Sequence, residues 1–335
     1  MAVTALPVSV VGNLTTDLII HGVEALPGWG REVAGSGHRS VASGQAAYLA
    51  LGLARLGVPS QLVGVVGADP DGEAIRAELA AAGIATGSIE TSTAGPTALT
   101  VAIVRPDGER AFVSDFACQR LLDAAFVERR WQTVAGGSAL CLVGLFNLPS
   151  LSPDAVVPLF ARARQAGLPT ILDTGWDPAG WPAATVEGMR RLLVETDVFL
   201  PNLEEAEALT GLADPEAAAL DLERHGVRAV VVKCGARGSV GRAGGRTERV
   251  PALAVTVHDA VGAGDSYDAG FLHAHLRGLG LRACMEFATA TAALHVSRAD
   301  DRYPTVADVQ GLLSSAGPTA GAPARTAATV AGGAA

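Results

Sequence analysis

The segment Asp259-Ala260-Val261-Gly262-Ala263-Gly264-Asp265-Ser266-Tyr267-Asp268-Ala269-Gly270-Phe271-Leu272 decides how this chain is read. A turn of small residues leads into a pattern that reads as a helix from Gly264 to about Gly278. The first amides of a helix have no intrahelical partners, and the helix dipole stands behind them. They form an anion pocket whose natural guest is a phosphoryl group. Glycine at 262 and 264 lets the backbone approach phosphate oxygens closely. Asp265, in the first helical turn, sets a carboxylate beside that pocket. Such a group can take the proton of an attacking hydroxyl while the amides stabilise charge on the transferred group. A bare G-x-G-D also has a plainer reading, an acid that merely favours the positive end of a helix. The four residues alone do not separate the two.

Outward from this segment, short apolar runs alternate with helical patterns. Val8 to Val11, Leu62 to Val66, Leu140 to Val143, Thr170 to Leu172, Val198 to Leu200 and Val227 to Val232 read as buried strands. Between them, Ala46 to Leu56, Glu73 to Ala82 and Pro153 to Ala166 read as helices, the last with Ser152 as N-cap. The alternation predicts an α/β fold with a mostly parallel sheet covered on both faces. Two stretches break it. Ala98 to Val104 and Ala111 to Ser114, joined through Pro106-Asp107-Gly108, read as a β-hairpin. Asp17 to Arg39, rich in Gly and Pro, reads as irregular. The two excursions are expected to pair as a small sheet, a lid drawn from about 15–40 and 97–116. The predicted domain spans 1–313. The tail 314–335 is Ala, Gly, Thr, Pro and Ser with little to bury, and is expected to be disordered.

The chain has 335 residues, is 49% hydrophobic and carries a net charge of −9. That acidity argues against nucleic-acid and anionic-membrane partners. Lys233 is the only lysine, and it lies in V-V-V-K-C-G. A P-loop needs G-x-x-x-x-G-K-[ST], so that route to a nucleotide is excluded. The four cysteines are scattered, without a C-x-x-C pair, and read as small buried hydrophobes in a reducing compartment. No signal peptide or spanning segment is expected, and the predicted location is cytoplasmic.

The long segment resembles the second signature of the ribokinase-like, or PfkB, carbohydrate kinases, usually D-T-T-G-A-G-D-x-F-x-A-G-F. The resemblance implies a ribokinase-like three-layer α/β/α sandwich with a small β-sheet lid. It implies ATP-dependent phosphorylation of a sugar hydroxyl, with Asp265 as base and the amides of Gly262, Ala263 and Gly264 as anion hole. Further pieces follow in the family's order from about residue 8 to 312. Gly12-Asn13-Leu14-Thr15-Thr16-Asp17 is similar to the element whose Asp binds sugar hydroxyls, which places Asn13 and Asp17 at the substrate. Gly64-Val65-Val66-Gly67-Ala68-Asp69 looks like the cleft-edge element. Asn202-Leu203-Glu204-Glu205 matches N-x-x-E, which acts through magnesium and its waters. Val232-Lys233-Cys234-Gly235-Ala236-Arg237-Gly238 resembles the nucleotide strand and turn, which places Lys233, Gly235 and Gly238 near ATP. Gly235 and Gly238 also fit a simple hairpin turn.

Departures from the pattern fall on the sugar side. The first signature, G-G-x-x-x-N-x-A, is here Ser43-Gly44-Gln45-Ala46-Ala47-Tyr48-Leu49-Ala50. Gly44 and Gln45 keep their places, but Tyr48 stands where an Asn normally bonds the sugar, predicting a reshaped, more aromatic pocket. Asn147 falls where ribokinases proper carry an acidic ligand, which argues against plain ribose. Ser297-Arg298-Ala299-Asp300-Asp301 replaces T-R-x-G-A, a loop that in relatives helps hold a monovalent cation such as potassium together with the residue at Asp259. The resemblance implies a homodimer formed through the lid. A nucleoside kinase of the same superfamily and a non-catalytic sugar or nucleotide sensor are the alternatives.

Overall fold

The computed structural model describes residues 5–299 and 302–316. In chain order its elements are β1 (Val8–Gly12), β2 (Thr15–His21), β3 (Gly37–Ser43), α1 (Gln45–Arg55), β4 (Ser60–Gly67), α2 (Pro70–Ala81), β5 (Ala85–Ser92), β6 (Ala98–Val104) and β7 (Arg110–Asp115). There follow α3 (Ala124–Arg129), α4 (Trp131–Ala135), β8 (Ala139–Val143), α5 (Pro153–Gln165), β9 (Thr170–Asp173), α6 (Ala183–Val194), β10 (Val198–Phe199), α7 (Leu203–Thr210) and α8 (Pro215–Arg224). The chain continues through β11 (Ala229–Lys233), β12 (Ser239–Ala243), β13 (Arg246–Val250), α9 (Ala263–His275), α10 (Leu281–Ser297) and α11 (Val306–Ala316).

Nine strands form one sheet in the order β13-β12-β11-β10-β9-β8-β1-β4-β5. It is parallel except for the antiparallel pairs of β12 with β11 and β13. Residues alternate between its faces. Val8 and Val10 of β1 join the core beneath α1, α9 and α10, whereas Val11 joins the core beneath α5 and α6. The same split separates Cys141 from Leu140 and Val231 from Val230. Helices therefore cover both faces, giving the three-layer α/β/α sandwich. From β1 the chain moves outward through β4 to β5, then returns to the other side through β8 to β11. The order reverses between β1 and β8, the kind of point at which α/β sheets bind ligands beyond the carboxyl ends of their strands.

The second sheet has the order β3-β2-β6-β7. Asp17 to Arg39, expected to be irregular, supplies most of β2 and the start of β3. The period was hidden because β2 is buried on one face and half-buried on the other, while β3 is largely polar. The inner face, with Ile19 and Ala102, packs on Tyr48 and Val261. Two boundaries also move. α2 starts at Pro70, with the Asp69 carboxylate accepting from the Gly72 amide at 2.9 Å. α11 runs to Ala316 rather than stopping before Ser314, because Val309 is buried and Leu312 and Leu313 pack on the core. The rest of the expected tail, 317–335, lies outside the described residues, as do Asp300 and Asp301.

Candidate active site

Gly262 is the N-cap of α9 at φ 76°, a left-handed conformation that suits glycine. The turn before it is pinned. The Val261 amide donates to Asp259 Oδ1 at 2.9 Å, and the His258 amide donates to the Val296 carbonyl at 2.8 Å. The amides of Ala263 and Ser266 bond to Ala260 and Gly262 carbonyls at 3.2 and 2.9 Å. Asp265, third in the helix, is 8% exposed, and its Oδ1 is buried without a hydrogen-bond partner. Burial, then the Asp173 carboxylate, pushes Asp265 up to about 7.

Behind Asp265 lies a group of charges that the sequence reading did not assemble. Lys233, at the carboxyl end of β11, reaches Asp173 at 2.7 Å and Asp268 at 3.0 Å. Asp173 ends β9, and Asp268 is one turn beyond Asp265 on α9. Burial alone would raise both acids, but the Lys233 ammonium holds Asp173 below the ordinary carboxylate range. Asp268 is held well above it by burial, which Lys233 only partly offsets. Burial pulls the lysine down, yet Asp173 and Asp268 outweigh it and keep the ammonium charged. Lys233, expected beside the nucleotide, thus has its ammonium engaged by carboxylates. It still lies under the turn, 3.5 Å from where a Cβ on Gly264 would stand. Asp268 was visible in the quoted segment but was given no role. Asp173 had one signal, an acid closing a buried apolar run at a strand's carboxyl end.

Asn202 and Glu205 bracket the start of α7 as a capping box. Glu205 Oε2 accepts from the Asn202 amide at 3.0 Å, and Oε1 accepts from Asn202 Nδ2 at 2.9 Å. Burial and the Asp173 carboxylate push Glu205 up to about 8. Among the described residues, no group of three or more His, Cys, Asp or Glu could hold a metal ion. The oxygen donors of Glu205 and the unpartnered Oδ1 of Asp265 fit a hard cation carried on phosphate and touched through water, rather than one caged by protein. Gly235 and Gly238, both at positive φ, make the tight turn from β11 into β12, as the hairpin reading expected. A Cβ at Gly235 would meet nothing within 4 Å, so that side of the turn is open.

The reversal point between β1 and β8 brings together the residues expected at the substrate. Gly44, at φ 96°, caps α1, where any Cβ would lie 2.3 Å from the Asn13 carbonyl oxygen. This close approach lets the Gln45 amide donate to Asn13 Oδ1 at 3.2 Å. Gln45 Oε1 accepts from Asn147 Nδ2 at 3.1 Å, and Nε2 donates to Asp173 Oδ1 at 3.3 Å. Farther along, Tyr48 donates to Asp17 Oδ2 at 3.2 Å and Thr15 Oγ1 donates to Oδ1 at 3.2 Å. Burial raises Asp17 against these bonds. The Tyr48 ring reaches from Asp17 to the turn, 3.4 Å from a Cβ position on Gly262. The ring also packs with Ile19, Ala102 and Val261, joined by Tyr303, in a small buried cluster.

Asp259, the residue implied for a monovalent cation, is already engaged. Its Oδ1 accepts the Val261 amide, and its Oδ2 is paired with Arg39 of β3 and with Arg302 at 3.3 Å. Neither arginine was singled out in the sequence. No spacing rule links them to Asp259, since Arg39 is 220 positions away.

The chain matches the model of the pfkB family of carbohydrate kinases over residues 7–307. It is 28% identical over 322 residues to the ribokinase of Arabidopsis thaliana, covering 92% of this chain and 80% of that one. It is 24% identical over 286 residues to a 5-dehydro-2-deoxygluconokinase of Halalkalibacterium halodurans, covering 81% and 84%. The structure of the Arabidopsis ribokinase complexed with ribose and ATP aligns with a TM-score of 0.78 at 24% identity, covering 92% of this chain and 99% of that one. Fold and matches define a class, the ATP-dependent sugar kinases with a ribokinase-like fold. More narrowly, the chain belongs to the pfkB family of carbohydrate kinases.

Proposed function

We propose that this enzyme transfers the γ-phosphoryl group of ATP to a hydroxyl of a small sugar or sugar derivative, with Asp265 as general base. The observation that carries this is the buried, unpartnered Oδ1 of Asp265 beside the α9 turn. An orphaned buried acceptor costs stability, and a substrate hydroxyl is the partner that would satisfy it. In this reading Asp17, Asn13, Gln45 and Asn147 orient the sugar. Asp265 takes the hydroxyl proton. The amides of Gly262 and Gly264, joined by that of Ala263 once it leaves the Ala260 carbonyl, stabilise the transferring charge from the positive end of the helix. Glu205 and Asn202 would hold magnesium through water; the ion supplies charge neutralisation on the phosphates. Lys233 keeps Asp173 charged, and its own ammonium tempers the rise of Asp265. Gly235 and Gly238 leave the β11–β12 turn open for the nucleotide. The small sheet acts as a lid that excludes water.

The test is ADP release with magnesium-ATP over pentoses, ketohexoses, 2-keto-3-deoxy sugar acids and nucleosides. Asp265→Asn is expected to lower kcat by about 10²–10⁴-fold while ATP binding by calorimetry is retained. Near-normal turnover in that variant would remove Asp265 from the role of base. Nucleosides stay in the panel because Tyr48 sets an aromatic ring beside the Gly262 turn. Ligand binding without turnover across the whole panel would favour the sensor reading instead.

Pairing of two lids into a homodimer belongs to the same proposal. Register places Leu18, Ile20, Val101, Ile103 and Val113 on the sheet's outer face, opposite Asp17 and Ile19. Val113 is 65% exposed. A continuous apolar face of this kind is unusual on a monomer and suits a self-complementary contact.

A further inference from the structure

We propose that the guanidinium of Arg302, assisted by Arg39, stands permanently where a monovalent cation would otherwise bind, so that this kinase works without potassium. The inference rests on the proposed role of the Gly262–Gly264 turn as anion hole. A monovalent cation serving that turn would need oxygens at its edge. Two face the same point here, Asp259 Oδ2 and the Val261 carbonyl. One side chain takes both. Arg302 Nη2 donates to the Val261 carbonyl, and Nη1 lies 3.3 Å from Asp259 Oδ2. Arg39 Nη2 donates to Asp259 Oδ2 from the other side. Asp259 Oδ1 is closed by the Val261 amide. No carboxylate oxygen of Asp259 is left for an ion.

The arrangement is built rather than incidental. The Arg302 side chain is 12% exposed and that of Asp259 16%. The imidazole of His295 packs alongside, its Nε2 2.9 Å from both Arg302 Nη2 and the Val261 carbonyl. Burial, reinforced by Arg302, depresses His295 to about 4, so it is neutral near pH 7. Among the described residues, two guanidiniums therefore face one carboxylate, an excess of one positive charge at the turn where phosphoryl charge would develop. A planar guanidinium with fixed donors also holds the Val261 carbonyl in one orientation, which a spherical ion does less selectively. Arg302 is thus a positioning residue, acting through Val261 and Asp259. Arg39 comes from β3, so docking of the small sheet completes the charge.

Thallium(I), which takes potassium sites, is soaked into crystals of the wild type and of Arg302→Ala. The expected result is no anomalous peak at Asp259 in the wild type and a peak between Asp259 and the Val261 carbonyl in the variant. In parallel, turnover is compared in potassium and in tetramethylammonium. The wild type is expected to agree within about twofold, while Arg302→Ala loses about tenfold or more in kcat, regained in part with potassium or guanidinium. Arg302→Lys is expected to fall between them without potassium. A thallium peak at Asp259 in the wild type, potassium activation of the wild type above about fivefold, or an Arg302→Ala kcat insensitive to every cation overturns the proposal. If no sugar or nucleoside is turned over, the kinase reading fails while the thallium arm still decides this one. If Arg302→Ala does not fold, the wild-type arms and Arg302→Lys decide it.

Discussion

The two sides of the α9 turn are built differently. Behind it, Lys233, Asp173 and Asp268 sit on the carboxyl ends of two adjoining regions of the main sheet and on α9 itself, all within the sandwich. In front of it, Asp259 is met by Arg39 from the small sheet and Arg302 from the segment before α11. The rear cluster is nearly closed to water, and the front one is partly open. Burial and the charges fixed in the core raise the proton affinity of Asp265. Charges borrowed from separate elements depend on how those elements dock. One turn thus draws the charges behind it from the body and one of those in front of it from the small sheet.

The largest effect is expected from breaking the rear cluster. Lys233→Met leaves Asp173 buried without its cation and is expected to cost about 3–5 kcal/mol in urea unfolding. Adding Asp173→Asn to that variant is expected to restore much of the loss, because the stranded charge is removed. Recovery that fails to appear would mean that Lys233 stabilises the fold by packing rather than by charge.

The pH dependence sharpens the same point. Asp265 is raised to about 7 and must be ionised to accept a proton. The value of kcat/KM is therefore expected to rise with pH through a break near 7 and then level, a gain of about tenfold between pH 6 and pH 8. Lys233 lowers the Asp265 value, so an active variant lacking the lysine is expected to break at higher pH. A break near 4 in the wild type would show that burial and Asp173 do not govern the base.

The smallest effect tests the front. Val113→Glu on the outer face of the small sheet is expected to convert dimer to monomer by light scattering while kcat changes only a few-fold. A protein that is monomeric before the change would end the proposal that lids pair. A large fall in kcat would mean that lid pairing, and not only lid docking, completes the site.

Much of this was legible in the sequence because the signals were local. Val8–Val11 and Leu140–Val143 announced buried parallel strands through unbroken apolar runs, and Ser152 announced a helix start. The segment 259–272 carried the turn, the helix and Asp265 within one contiguous stretch. A small sheet was expected from about 15–40, but β2 and β3 were not placed within it because two-sided burial and a polar edge erase period-2 alternation. The expected start of the tail at 314 falls inside α11, which Val309 and Leu312 anchor by long-range packing.

By itself, then, the sequence determined the layered α/β architecture, the glycine turn that opens α9 and the carboxylate beside it, since each depends on neighbours a few residues apart. Only the tertiary structure decided what surrounds them. Lys233 meets acids 35 and 60 positions away, Tyr48 spans from Asp17 to Gly262, and Arg39 reaches Asp259 across 220 positions. Electrostatic interaction depends on distance in space and on exclusion of water, and neither is written in the order of residues along the chain.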